Sequence, residues 1–248
     1  MSRIAVIGGT GMNQWPGLEV DRRIELDTPY GPPSAPLLEG RVYGRRAIFL
    51  ARHGEGHKIP PHKINYRANL WALREAGVQS VIAIAAVGGI APWFAPGEIA
   101  VPKDLIDYTF DREHTYSDGS TGSELHHVEF SEPYAESLRA GLLDAARLSQ
   151  TPVVGEGVLA VTQGPRLESV AEVRRIQRDG CDMVGMTGMP EAGLARELGL
   201  DYACLALSVN WAAGVQGIGD IHAEIARSIE DGMRKVRAVL AQLLPTLA

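Results

Sequence analysis

The sequence predicts an α/β fold in one domain spanning residues 1–248, and three observations carry that prediction. Short apolar runs with strand character alternate along the chain with stretches of helical periodicity, the pattern of a sheet covered by helices. Two of those runs are apolar at nearly every position, as strands buried on both faces of a mostly parallel sheet are. No linker, low-complexity tract or internal repeat divides the 248 residues, a length that one large α/β domain fills.

The elements follow in order. RIAVIGG (3–9) is β-rich and stopped by glycines, and RAIFLARHG (46–54) is a second strand. NYRANLWALREAG (65–77) spaces Leu70, Leu73 and Ala76 along one helical face and closes on Gly77. SVIAIAAVGG (80–89) predicts a doubly buried strand, and GEIAVPKDLIDYTF (97–110) a further strand region. DREHTYSDGSTGSELHHVEF (111–130) is polar and rich in Gly and Ser, a long loop of the kind that is usually functional or disordered. SEPYAESLRAGLLDAARLS (131–149) predicts an amphipathic helix with Ser131 as its N-cap. GVLAVTQGP (157–165) is a strand entering a turn, and SVAEVRRIQRDG (169–180) is a helix. MPEAGLARELG (189–199) is a helix closed by Gly199, and DYACLALSVN (201–210) is the last buried strand. AEIARSIEDGMRKVRAVLAQLL (223–244) is a long C-terminal helix.

Composition narrows the function classes. The chain is 45% hydrophobic and 22% charged, ordinary values for a globular core. Its longest apolar run, SVIAIAAVGGIAPWFA, is broken by Gly and Pro and is too short to cross a bilayer. The opening MSRIAVIGGTG has no signal-peptide layout, so a cytoplasmic protein with no membrane partner is expected. Cys181 and Cys204 lack both metal-ligand spacing and a disulfide framework, which suits a reducing compartment and plain packing roles. A formal net charge of −6 argues against a general nucleic-acid binder, yet it leaves room for one local anion site. Such a site is suggested by RHGEGHKIPPHKINYRAN (52–69), which gathers two Arg, two Lys and three His.

The chemistry-bearing residues stand at the C-terminal ends of the predicted strands, where open α/β sheets collect ligands. In IGGTG (7–11) the glycines allow a tight turn with exposed N–H groups, and the Thr10 hydroxyl can donate to an oxyanion. Such glycines also mark ordinary strand-ending turns. Arg52 and His53 follow the second strand directly: Arg offers a planar fork for phosphate and His a further donor. Lys58, Lys63, His57 and His62 read as a solvated rim. Gln163, Glu168 and Thr187 come just after apolar strands, and Pro190 opens a helix whose N-terminus suits an anion. Met186 and Met189 read from composition as core filling. Asn210 closes an apolar strand, where it is either a turn or cap residue or an amide that reads a ligand.

Taken together, GGTG, RHG, NYRANLWALREAG, QGPRLE, VGMTGMPEA and the strand ending in Asn210 occur in an order and spacing that resembles the trimeric purine nucleoside phosphorylase and methylthioadenosine phosphorylase family. The resemblance runs from residue 4 to about residue 240. It implies a mixed, partly barrel-like sheet surrounded by helices. It also implies a pentosyltransferase that cleaves a purine nucleoside with inorganic phosphate, needing neither metal nor organic cofactor. By resemblance, Thr10, Arg52, His53, the backbone near Ala86 and Thr187 would hold the phosphate. Asn210 would donate to the base at N7, Glu168 would accept the N1 proton of a 6-oxopurine, Leu167 would pack on the base and Met186 on the ribose. One departure is Ala85, where methylthioadenosine phosphorylases commonly place Thr. Family members preferring 6-aminopurines carry Asp at the positions of Asn210 and Ala212, so a 6-oxopurine is expected here.

The sugar end gives two signals. His127 resembles a His that reaches into the neighbouring subunit's site in methylthioadenosine phosphorylases, implying a homotrimer with shared sites. His222, with a two-residue gap, resembles the His that binds the 5′-hydroxyl in inosine and guanosine phosphorylases; without the gap, Ala223 stands where a small apolar residue makes room for methylthio. The combined expectation is phosphorolysis of 5′-methylthioinosine, with methylthioadenosine or inosine as alternatives. Three other classes compete: a nucleosidase using water, a non-catalytic nucleoside-binding module and a nicotinamide-dependent reductase. The last lacks the G-x-G-x-x-G fingerprint, since Gln14 stands three residues after Gly11.

Overall fold

The structure is a computed structural model that describes residues 3–117, 119, 125–216 and 221–247, with side chains of the last segment from residue 225. Strands β1 (Arg3–Gly8), β2 (Glu19–Ile24), β3 (Leu37–Val42) and β4 (Arg45–Ala51) come first, then helix α1 (Tyr66–Glu75) and the long strand β5 (Val78–Gly89). Next are β6 (Ile99–Ala100), β7 (Asp104–Asp107), α2 (Glu136–Leu148), β8 (Val153–Val154), β9 (Val158–Val161) and α3 (Val170–Arg178). The chain ends with β10 (Met183–Gly185), α4 (Gly188–Glu197), β11 (Asp201–Trp211) and α5 (Ile221–Leu243).

Among the described residues, the eleven strands join one mixed sheet that branches at β5. The N-terminal half of β5 lies parallel to β1, whereas Gly88 and Gly89 pair antiparallel with β10. Strand β11 runs parallel to β5 along its whole length, with its register shifting between Ser208 and Asn210. The central strands are apolar because both faces are covered: Ile4 to Ile7, Val81 to Ile84 and Tyr202 to Leu207 are all buried. Helix α5 packs on β11 and α2, and α1 packs on α4. Among the described residues no helix is long and apolar enough to cross a membrane.

The helix signals hold locally. The Asn65 side chain accepts from Ala68 N–H at 3.1 Å to start α1, and Gly77 (φ +79°) takes the left-handed conformation after its end. Ser169 and Glu172 form a capping box at α3. Two expectations are corrected. The strand region 97–110 divides into β6 and β7, because Pro102 between them lacks an N–H for a ladder. Helix α2 begins at Glu136 rather than after Ser131. Tyr134 is buried and stacked on Tyr202 at 6.1 Å, and Ala135 N–H donates to Tyr202 O at 2.8 Å, which holds this approach extended. Strands β2 and β3 had no sequence signal. Most of β2 is exposed and charged, and β3 carries Gly40, where a Cβ would stand 2.1 Å from Glu19 O.

Candidate active site

A cavity of about 240 Å³ opens where β1, β4, β5 and β11 end. Its walls include Thr10, Arg52, His53, Ala86, Leu167, Glu168, Met186, Thr187, Asn210 and Ala212, so residues drawn from across the chain meet in one space. Sheet register explains part of this convergence: Asn210 on β11 and Val184 on β10 both pair with Gly88 on β5. Ala86 lines the cavity, whereas Ala85 is buried and does not.

One end is built around Arg52, only 1% exposed. Its Nε and Nη2 each donate to Glu191 at 2.8 Å, and its Nη1 donates to Ile84 O at 2.9 Å. Glu191 is fully buried and also accepts from the Tyr202 hydroxyl at 2.8 Å. This corrects the expectation of an open guanidinium fork: the fork is spent on a carboxylate, leaving one N–H on each terminal nitrogen. Burial opposes the Arg52 charge, but the Glu191 carboxylate more than offsets that and raises its pKa. Gly9 permits the arrangement, since a Cβ there would lie 2.8 Å from Arg52 Nη1.

His53 is also buried, and its Nδ1 lies 2.8 Å from Ile59 O. A carbonyl only accepts, so Nδ1 carries the proton and the neutral ring leaves Nε2 as an acceptor. Burial, and then the neighbouring Arg52 charge, push the imidazole pKa down to about 4. The expected donor is therefore an acceptor near neutral pH. The His57 ring lies beside it, tilted by 43° with the centroids 4.3 Å apart, with Nδ1 2.9 Å from Asn13 Oδ1 and Nε2 3.4 Å from Thr10 Oγ1. Lys58 and Lys63 are exposed, as a rim requires, and so is His57, whereas His62 is half-buried with an unpartnered Nδ1. Arg67 pairs with Glu113 and lies 5.0 Å from the Tyr30 ring. Only Arg52 and His53, of the seven basic residues in that stretch, reach the cavity. Thr187 makes no capping bond, and α4 is irregular at Met189, so its regular turns begin with Pro190.

The opposite end carries the amide and the carboxylate. Asn210 donates from Nδ2 to Trp211 O at 2.7 Å, which orients the amide while leaving its second N–H and Oδ1 for a ligand. Glu168 accepts from Thr162 Oγ1 at 2.6 Å and is half-buried. Leu167 is 53% exposed and forms part of the mouth. Met186 is half-buried on the wall rather than in the core. Ile225 adds an aliphatic side chain from α5. His127 is exposed and does not line this cavity, and the side chains of His222 and Ala223 lie outside the described residues.

Three further residues were not singled out from sequence: Glu191, Tyr202 and Arg112. A lone carboxylate within the apolar MPEAGLA is a signal for Glu191. Arg112 had none, being one charge in a polar loop. Its guanidinium donates to Gln163 Oε1 at 3.0 Å, to Gln163 O at 2.8 Å, to Met186 O at 2.9 Å and to Met189 O. It thereby ties the start of the 111–130 loop to two segments beside the cavity.

The arrangement can hold a small oxyanion at one end and a flat heterocycle with donor and acceptor edges at the other. Comparison with known proteins bears on this directly. Residues 3–245 match the model of a family described as the phosphorylase superfamily. The chain is 51% identical over 244 residues, covering 98% of it and 99% of the relative, to a probable S-methyl-5′-thioinosine phosphorylase of Pseudomonas syringae pv. tomato. It is 41% identical over 251 residues, covering 100% of it and 94% of the relative, to a 6-oxopurine nucleoside phosphorylase of Pyrococcus furiosus. A structure of methylthioadenosine phosphorylase from Schistosoma mansoni with adenine superposes with a TM-score of 0.90 at 30% identity, covering 99% of this chain and 91% of that one.

Proposed function

The chain belongs to the phosphorylase superfamily, and from that membership we propose that its cavity performs phosphorolysis of a 5′-methylthio purine nucleoside, 5′-methylthioinosine foremost, releasing the purine and 5-methylthioribose 1-phosphate. The observation that carries the reading is the shared cavity. Asn210 and Glu168 stand on the same walls as Thr10, Arg52, His53 and Thr187. Inorganic phosphate is the co-substrate, and no metal or organic cofactor takes part.

The chemistry balances on these groups. The C1′–N9 bond breaks with its electron pair going to the purine, and a phosphate oxygen forms the new bond to C1′. The proton lost from hydrogen phosphate matches the proton that the purine gains. Positive charge grows on the sugar and is met by the bound anion; negative charge grows on the base and is met by the free Asn210 N–H at N7. A donor fixed in advance acts strongly on charge that develops only in the transition state, worth about 3–4 kcal/mol for a single group.

Base choice follows from the same atoms. Glu168 can accept an N1 proton that neutral adenine lacks, while the one N–H of Asn210 not given to Trp211 O is committed to N7. A site with such polar groups discriminates by leaving them unpaired against the wrong base. The aliphatic Ile225 on the wall supports an apolar 5′ substituent. In this reading the protein is a homotrimer, and the exposed His127 serves a neighbouring subunit's site. The relative names support the substrate, since the Pseudomonas syringae protein is named for methylthioinosine.

The deciding assay is base release from 5′-methylthioinosine, methylthioadenosine, inosine and adenosine, each with and without phosphate. Phosphate-dependent turnover led by methylthioinosine is expected. Leadership by methylthioadenosine would overturn the base argument, leadership by inosine the sugar argument, and turnover without phosphate the reaction itself.

A further inference from the structure

We propose that the anion end of the cavity selects an oxyanion that still carries a proton, with His53 Nε2 accepting a hydrogen bond from that proton, so that hydrogen phosphate is favoured over sulfate. The proposal rests on the reading that phosphate is the nucleophile, and it adds what the site demands of it.

Geometry sets the tautomer. Ile59 O lies 2.8 Å from His53 Nδ1 and can only accept, so the ring proton is committed there. Nε2 has no hydrogen-bond partner among the described residues, and the side chain lines the cavity. Becoming a double donor would require a second proton on a buried ring beside Arg52. The other titratable and charged neighbours do not relieve this. His57 turns its Nδ1 toward Asn13, and Glu191 is occupied by Arg52 and Tyr202.

The charge arrangement points the same way. Glu191 balances Arg52, so the anion does not meet a bare cation that would take any dianion alike. What remains is a set of directional groups: the residual Arg52 N–H bonds, the Thr10 and Thr187 hydroxyls and one lone pair on His53. Sulfate near neutral pH has only acceptors, so one of its oxygens would face the His53 lone pair with no hydrogen between them. Hydrogen phosphate and hydrogen arsenate each bring one O–H to that position. A mismatch of this kind in a buried site is discriminating because it leaves an acceptor unpaired.

The test compares phosphate, arsenate and sulfate on the resting protein by the shift each induces in thermal unfolding, and in parallel on base release from 5′-methylthioinosine. Half-effects for phosphate and arsenate within a few-fold of each other are expected, with sulfate weaker by at least about tenfold. Sulfate acting as strongly as phosphate would overturn the proposal. In His53→Gln the amide can turn an N–H toward the anion, and the phosphate-to-sulfate preference should shrink about tenfold; an unchanged preference would also overturn it. Where that variant does not fold, the wild-type comparison still decides. Base release that proceeds without any anion would overturn phosphorolysis instead, and the thermal shifts, which need no turnover, would separately decide the selectivity.

Discussion

Glu191 and Arg52 form a bidentate pair with side chains 0% and 1% exposed, so removing either one leaves the other as an uncompensated buried charge. Glu191→Ala should lower unfolding stability by about 3–5 kcal/mol, read from urea denaturation, because the cost is set by the orphaned guanidinium. A loss near that of an exposed ion pair would contradict the pair's place in the core. The role proposed for Asn210 bears on a different quantity. If its free N–H meets charge only as the base departs, Asn210→Ala should reduce kcat about 100- to 1000-fold while the KM for phosphate stays unchanged. A collapse in phosphate binding instead would move Asn210 to the anion end. His53 carries a pH signature. Its folded pKa of about 4 lies below the ordinary 6.5, so the unfolded chain binds the proton first. Its contribution to stability is therefore complete above 6.5 and drains away as pH falls toward 4. Urea midpoints across that range should fall more steeply for wild type than for His53→Gln; parallel slopes would assign the loss to other groups.

At the scale of elements, the site is made where β5 changes partners. The strand leaves β1 after Ala83 and pairs with β10 at Gly88 and Gly89, which brings β10 and β11 to opposite edges of one strand end. Gly89 is required there, since a Cβ would stand 2.1 Å from Phe94 O. The first turn of the 111–130 loop is held by Arg112 through carbonyls beside the cavity, which places a loop anchor next to Met186. Arg112→Ala should free residues 111–117, seen as faster limited proteolysis in that segment together with a raised KM for the nucleoside. Unchanged proteolysis would mean that Tyr116, whose N–H and hydroxyl are bonded to Glu197 and Arg67 O, suffices to hold the loop.

Across the whole molecule, the cavity depends on helix α5 lying close against the central sheet. Gly232 makes that approach possible: a Cβ there would fall 2.0 Å from Leu207 Cδ1 on β11. Leu207 is buried in the core, so it has little room to yield. Gly232→Ala should lower the Tm by an amount matching about 1–3 kcal/mol of overpacking, and it should weaken nucleoside binding because Ile225 moves with the helix. A neutral effect on Tm would show that α5 can shift outward without loss. The same close packing surrounds Cys204, whose thiol is pushed up to about 12 by burial, in keeping with a packing role.

The sequence by itself determined the α/β alternation, most of the helices and many of the residues that line the cavity. Apolar periodicity, the closing glycines Gly77 and Gly199 and the strand-end positions of Thr10, Arg52, Glu168, Thr187 and Asn210 are local properties, and each predicted where its residue would stand, whereas the Ser131 cap did not form and the Asn65 and Ser169 caps were not singled out. Tertiary structure alone decided how those residues are committed. Arg52 meets its carboxylate 139 residues later in the chain. His53 becomes an acceptor because a backbone carbonyl at Ile59 claims its proton. Helix α2 starts late because the Tyr134–Tyr202 stack holds the chain ahead of it. The edge strands β2 and β3 form by pairing rather than by pattern. Periodicity and capping are read from neighbours within a few residues, whereas the partner of a buried donor is set only when distant segments pack, because that packing decides which groups lose water together.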